Sequence, residues 1–366
     1  MAATVYLAKL HTRTESGNKG EKIDRLCDAL NLDEIVQKKE PCGIKLHFGE
    51  YGNDTHLNPA FIRRIVEKVR GAGAKPFLTD TCTLYSGMRH NAVDHLNVAY
   101  MHGYSPATVA APIIIGDGLF GYNDIPVTIN KKHFTEVYVA DAARRAPALV
   151  VASHFKGHEM AGFGGAIKNL AMGGASVRGK REQHKTHVII DTEKCIGCGR
   201  CVKVCPQSAL SLIDGKSHVD ISKCIGCFEC ITVCPVRPEK AISIDWATEM
   251  LPFIERTTEY ALGVVQGREQ NICYINFVMS VTPDCDCVGW SDLPMVADLG
   301  ILASRDPVAI DQASYDLVNQ AEPLDPQLAG APDKFKARWP NTHGERQLSY
   351  GEEIGLGTRE YELKHI

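Results

Sequence analysis

The chain has no apolar run of the roughly eighteen residues that a membrane-spanning helix needs. Its opening stretch, MAATVYLAKLHTRTE, also lacks the uninterrupted apolar core of a signal peptide. The expectation is a soluble, cytoplasmic protein with no membrane partner. Charge of one sign is scarce too. A formal net charge of -4 gives no broad field for gathering a polyanion, so nucleic acid is not an expected partner. The glycine-rich run GFGGAIKN (162–169) lacks two nucleotide signatures. Asn169 stands where a Walker loop carries Ser or Thr, and the last glycine of a G-x-G-x-x-G fingerprint is missing.

At 366 residues the chain is too long for one ordinary core. Its first part alternates strand-like and helix-like runs. CGIKLHF (42–48) reads as a strand. NPAFIRRIVEKVRGAG then reads as a helix, with Asn58 as N-cap, Pro59 in the first turn and an apolar stripe of Ile62, Ile65, Val66 and Val69. The runs KPFLTD, APIIIGD and APALVVAS continue the rhythm. This predicts an α/β fold with a mostly parallel sheet covered by helices. In such sheets ligand chemistry collects at the carboxyl ends of the strands. His47 and Glu50, Asp80 and Cys82, Asp117, and His154, Lys156 and His158 each follow one of these runs.

Eight of the fourteen cysteines fall in two copies of C-x2-C-x2-C-x3-C-P. In the bacterial two-cluster ferredoxin, which this pattern resembles, the fourth cysteine of each copy serves the other cluster. The spacing therefore predicts two [4Fe-4S] clusters. One takes Cys195, Cys198, Cys201 and Cys234, the other Cys224, Cys227, Cys230 and Cys205. Strand and helix patterns resume near residue 271. The expected organisation is an α/β domain over 1–187 and 247–366, interrupted at 188–246 by a small inserted α+β ferredoxin-like domain.

Cys27, Cys42 and Cys273 lie in apolar surroundings and read as core. DCDC (284–287) differs, because Cys285 and Cys287 share one face if the segment is extended. With Cys82 or His47 they form a candidate for an additional metal or a third cluster, the alternative being a polar turn with idle thiols. In SHFKGHEMAGFGGAIKNLAMGG (153–174) the candidate catalytic residues are His154, His158 and Lys168. A glycine-rich turn opening a helix there either presents backbone N–H groups to an anion or permits close packing.

Taken together, KLHFGE, DTCTLYSGMRHNAVDHL, the 153–173 stretch, the twin cysteine motif, PDCDC and GILASRDPVAIDQA resemble the iron-sulfur centre proteins of domain-of-unknown-function family 362. That resemblance implies an anaerobe-associated cytoplasmic protein with two [4Fe-4S] clusters. A weaker likeness joins the His and Gly-Gly-Lys pattern to the lactate racemase family, whose cofactor is held by Lys and His. Here Lys168 stands three residues after Gly165, a departure from that family's spacing.

The leading functional expectation is an iron-sulfur electron-transfer protein whose clusters serve a ligand or redox site at the sheet rim. Its enzymatic form is a ferredoxin-coupled reductase of a small anion, with a ferredoxin or oxidoreductase as redox partner. The alternatives are a metal or cluster carrier using Cys285 and Cys287, or a lactate-racemase-like cofactor-binding domain.

Overall fold

Buried β-branched and aliphatic runs set the frame. A computed structural model describes residues 2–85, 87–185, 187–224, 226–244 and 246–366. Its principal sheet has eight strands. Across the sheet their order is Tyr361–His365, Ala3–Lys9, Gly300–Ser304, Ile272–Val278, Ala148–His154, Pro41–Lys45, Lys75–Asp80 and Ile113–Ile115.

Side-chain alternation divides the core in two. Along Ala148–His154, Leu149 and Val151 join one apolar cluster while Ala148, Val150 and Ala152 join the other. The helices Lys19–Ala29 and Pro59–Gly71 cover the second face through Ile23, Leu26, Ile62, Ile65, Val66 and Val69. Ala166–Gly174, Trp246–Val265 and Pro307–Gln320 cover the first. The caps follow local chemistry. Asn58 accepts from Ala60 N ahead of Pro59, and Asp306 accepts from Val308 N and Ala309 N ahead of Pro307.

The sheet is α/β and helix-covered as expected, but mixed. Gly300–Ser304 runs antiparallel to both Ala3–Lys9 and Ile272–Val278. The reason is the connection. A parallel return needs a crossover, usually helical, whereas residues 279–299 contain no helix and bring the chain straight back. That long loop carries DCDC. The charged tail forms the helix Arg346–Glu353 and the edge strand Tyr361–His365, parallel to Ala3–Lys9.

Residues 188–244 form smaller antiparallel sheets. Val188–Ile190 pairs with Ile242–Ile244, so the strands that enter and leave this segment lie side by side. Leu210–Ile213 pairs with Lys216–Val219. Among the described residues no helix is long and apolar enough to cross a membrane.

Candidate metal centre at the sheet rim

The strand Ala148–His154 lies between Pro41–Lys45, which precedes it in the chain, and Ile272–Val278, which follows it. Connections leave this point in opposite directions, the arrangement that opens a crevice at strand carboxyl ends. Register brings His154 opposite Phe277, so the loops after both strands start side by side. One is the hairpin of Lys156–His158 and Gly162–Gly164; the other is the DCDC loop.

Close backbone contact locks the two together. Gly157 N donates to Thr282 O at 2.8 Å, and a Cβ on Gly157 would lie 2.3 Å from Pro283 O. Only glycine allows this approach. Trp339 Nε1 donates to the same Pro283 carbonyl at 2.8 Å.

Asp286 braces the loop from within. Its fully buried carboxylate lies 2.8 Å from His154 Nδ1 and 3.1 Å from Lys156 Nζ, and accepts from Thr55 Oγ1 at 3.0 Å. Burial alone would raise its pKa, but His154 and Lys156 hold it well below the carboxylate range. Burial likewise opposes the charge on Lys156, and the Asp286 partnership overrides it. His154 turns its other ring nitrogen to the carbonyls of Met279 and Ser280, at 2.9 and 3.1 Å. It is a strut between two loops.

With Asp286 turned inward, its neighbours turn to the rim. Ligand atoms of His158, Cys285 and Cys287 all lie within 4.8 Å of one another. The two neighbouring sulfurs compete for a single negative charge, and this proximity decides where it sits. The Cys287 thiol beside it, with Lys168 and Lys156 and against burial, holds Cys285 well below the usual thiol range, while the neighbouring Cys285 pushes Cys287 well above it. Lys168 Nζ lies 3.9 Å from Cys285 Sγ. His158 Nδ1 accepts from Met160 N and Ala161 N at 3.0 and 3.1 Å, which fixes the ring. Burial, then Lys168 and Lys156, keep this imidazole well below its ordinary pKa and neutral.

A second buried tier supports the first. Tyr85 Oη donates to Cys287 O at 3.0 Å and accepts from Arg89 at 2.6 Å. Arg89 also meets Glu50 at 3.2 Å and Asp80 at 3.5 Å, and Lys45 lies 3.0 Å from Asp80.

The other expected site residues are placed differently. Cys82 is buried beside Asp117, its sulfur 3.6 Å from Gly118 O, and burial followed by Asp117 pushes its thiol up to about 12. His47 Nδ1 accepts from Gly49 N at 3.0 Å. Neither joins the convergent group. His158, expected as a catalytic residue, does.

The helix after the glycine-rich turn is already capped. Ala166 N and Ile167 N donate to Asp311 at 2.7 and 2.9 Å, and a Cβ on Gly165 would lie 2.2 Å from that carboxylate. An internal carboxylate fills the anion position that the sequence left open. Nothing in the local sequence pointed to Asp311.

Cys195, Cys198, Cys201 and Cys234 line one pocket of the 188–244 segment, and Cys205, Cys224, Cys227 and Cys230 line another. The expected iron-sulfur function with two [4Fe-4S] clusters, and the ferredoxin-coupled reductase with it, are corrected here. Among the described residues the one group of three or more potential ligands drawn within 4.8 Å is His158, Cys285 and Cys287. No three of the eight segment thiols approach so closely. Several have protein partners instead. Cys201 Sγ lies 3.2 Å from Ser217 Oγ, Cys205 Sγ accepts from Ala209 N at 3.2 Å, and Cys201, Cys230 and Cys234 belong to the segment's apolar core.

Known proteins resemble separate parts of the chain. Ferredoxin-2 of Desulfomicrobium norvegicum is 57% identical over 30 residues, 8% of this chain and 51% of that protein. An uncharacterized ferredoxin of Methanocaldococcus jannaschii is 65% identical over 23 residues, 6% of this chain and 30% of that one. The chain thus spans about half or less of these curated relatives. The lactate racemase apoprotein from Thermoanaerobacterium thermosaccharolyticum overlaps 76% of this chain and 51% of its own, with TM-score 0.36 and 14% identity. A Thermotoga maritima protein overlaps 85% of this chain and 61% of its own, with TM-score 0.41 and 9% identity. The family profile described as "Domain of unknown function (DUF362)" matches residues 43–316, well over half of the chain and including His158, Cys285 and Cys287, and the chain belongs to that family.

Proposed function

We propose that this chain is a soft-metal carrier, holding one ion at the sheet rim through the thiolates of Cys285 and Cys287 and the imidazole of His158. The observation that carries this reading is the approach of these three ligand atoms within 4.8 Å, from segments far apart in sequence. Thiolate and imidazole donors suit zinc, nickel, copper(I) or iron over magnesium and calcium. Asp286, tied to His154 and Lys156, holds the cysteines to either side of it. Nδ1 of His158 accepts from two backbone N–H groups, so the ring proton of the metal-free protein sits on Nε2; ligation through Nε2 as a neutral imidazole moves that proton to Nδ1 and releases those two hydrogen bonds, while the thiols give up their protons.

Three protein donors leave a tetrahedral ion one open position. A recipient's ligand entering there begins ligand exchange, which is how an ion is passed on. The same opening admits a small anion, the ligand class that the lysines beside it favour. We further propose that 188–246 is a unit inserted into one α/β domain formed by 1–187 and 247–366. The pairing of its entry and exit strands supports this.

Elemental analysis of protein purified without oxygen tests the carrier reading. Wild-type protein is expected to hold about one more soft metal ion per chain than the double variant Cys285→Ser, Cys287→Ser. Equal metal content in the two would overturn it.

A further inference from the structure

Lys168 differs from Lys156, Arg89 and Lys45, three ion-paired cations of the rim. Lys156 is paired with Asp286 at 3.1 Å, Arg89 with Glu50 at 3.2 Å, and Lys45 with Asp80 at 3.0 Å. Among the described residues no carboxylate lies within the 4.0 Å ion-pair distance of Lys168 Nζ, and its polar neighbour is Cys285 Sγ at 3.9 Å.

The charges around it can be summed. A divalent ion balances the thiolates of Cys285 and Cys287, His158 ligates without net charge, and Asp286 is offset by Lys156. His184, which also faces Lys168, is half-buried, and desolvation followed by Lys168 lowers its pKa to about 3, so it carries no charge near neutrality. At the mouth Asp284 faces Arg338, and Glu159, exposed at the surface, faces Lys168 from beyond ion-pair distance. Once the ion takes over the Cys285 thiolate, the ammonium of Lys168 is left beside a metal with one open position.

We infer that the ion's open position takes a small carboxylate monoanion, with Lys168 as the residue that recognises its charge. This rests on the metal reading above. The carboxylate gives one oxygen to the metal, while Lys168 donates to it from the side. Glu159 opposes the anion from the mouth, so the two side chains have effects of opposite sign on affinity. No bond is made or broken in this step; it is a binding event.

Co2+ supplies a spectroscopic probe independent of turnover. The protein is loaded with Co2+, and the rim signal is taken as the thiolate-to-Co2+ absorption lost in the Cys285→Ser, Cys287→Ser variant. Titration with acetate is expected to shift that absorption saturably. Lys168→Met should weaken acetate binding at least about ten-fold with Co2+ stoichiometry unchanged, whereas Glu159→Gln should tighten it about two- to three-fold, as expected for removal of one nearby charge. A rim absorption that ignores acetate, or equal acetate affinity in wild type and Lys168→Met, would overturn the anion inference and leave the metal reading standing. Absence of any rim-specific absorption in wild type would overturn both.

Discussion

The twin-motif segment and the rim loop are both rich in thiols, yet they are built in opposite ways. In 188–244 eight cysteines recur at short, regular intervals, line two pockets, and take part in the segment's own core and hydrogen bonds. At the rim, two cysteines meet a histidine from another loop, and buried ion pairs hold all three in place. Regular spacing makes a site conspicuous in sequence. Convergence in space depends on which strands are neighbours and on what fills the volume behind the ligands.

Changes at the brace should break this comparison most strongly. Asp286→Ala leaves Lys156 and His154 buried without their carboxylate, and removing one partner of such a group costs on the order of 3–5 kcal/mol. Urea denaturation should show this loss, and a change below about 1 kcal/mol would mean that Asp286 does not organise the loop.

Asp311 offers a pH test. Burial, against hydrogen bonds from Ile167 N, Asn276 Nδ2 and Ala166 N, pushes its pKa up from 3.8 to about 6. The folded protein therefore binds this proton more tightly than the unfolded chain. Its contribution is fully present below about pH 4 and is lost as pH rises through 6. Relative to Asp311→Asn, wild-type stability should fall over that window by an amount on the order of 3 kcal/mol. Parallel pH profiles of the two proteins would contradict the assignment.

Gly157→Ala is expected to act next. The added methyl cannot share space with Pro283 O, so the hairpin must shift, at a cost of about 1–3 kcal/mol. Because His158 rides on that hairpin, rim metal affinity should drop with stability. Unchanged affinity in the Co2+ titration would show that the ligand geometry tolerates the shift.

The smallest stability effect, on the order of 1 kcal/mol, is expected for Cys285→Ser in metal-free protein, where a neutral hydroxyl replaces the sulfur whose charge Lys168 favours. Its metal effect is sharper. Cys285→Ser should lose the rim ion, while Cys195→Ser should retain it. If Cys195→Ser abolished the rim Co2+ absorption instead, the two thiol regions would not be separable.

Much of the frame was legible because it rests on short-range chemistry. Asn58 with Pro59, and Asp306 with Pro307, announce their helices through a cap and a fixed φ. The apolar stripe 62-65-66-69 names the buried face of one of them. Cys285 and Cys287 were legible as a pair because period two puts them on one side of an extended chain. Cys82 and His47 were drawn to them by position after neighbouring strands, but strand ends say only which rim a residue reaches, not where its side chain turns. Asp311 stayed hidden, because a mid-helix aspartate looks like surface until its helix is packed against another helix's N-terminus.

Sequence alone therefore determined the α/β alternation, the helix caps and the local grouping of cysteines, all consequences of contacts between residues a few positions apart. Tertiary structure alone decided that His158 joins Cys285 and Cys287, that Asp286 faces inward, and that Asp311 closes the glycine-rich turn. Each of those depends on Ala148–His154 lying beside Ile272–Val278, and on buried charges finding partners that only the packed sheet and helices bring within reach.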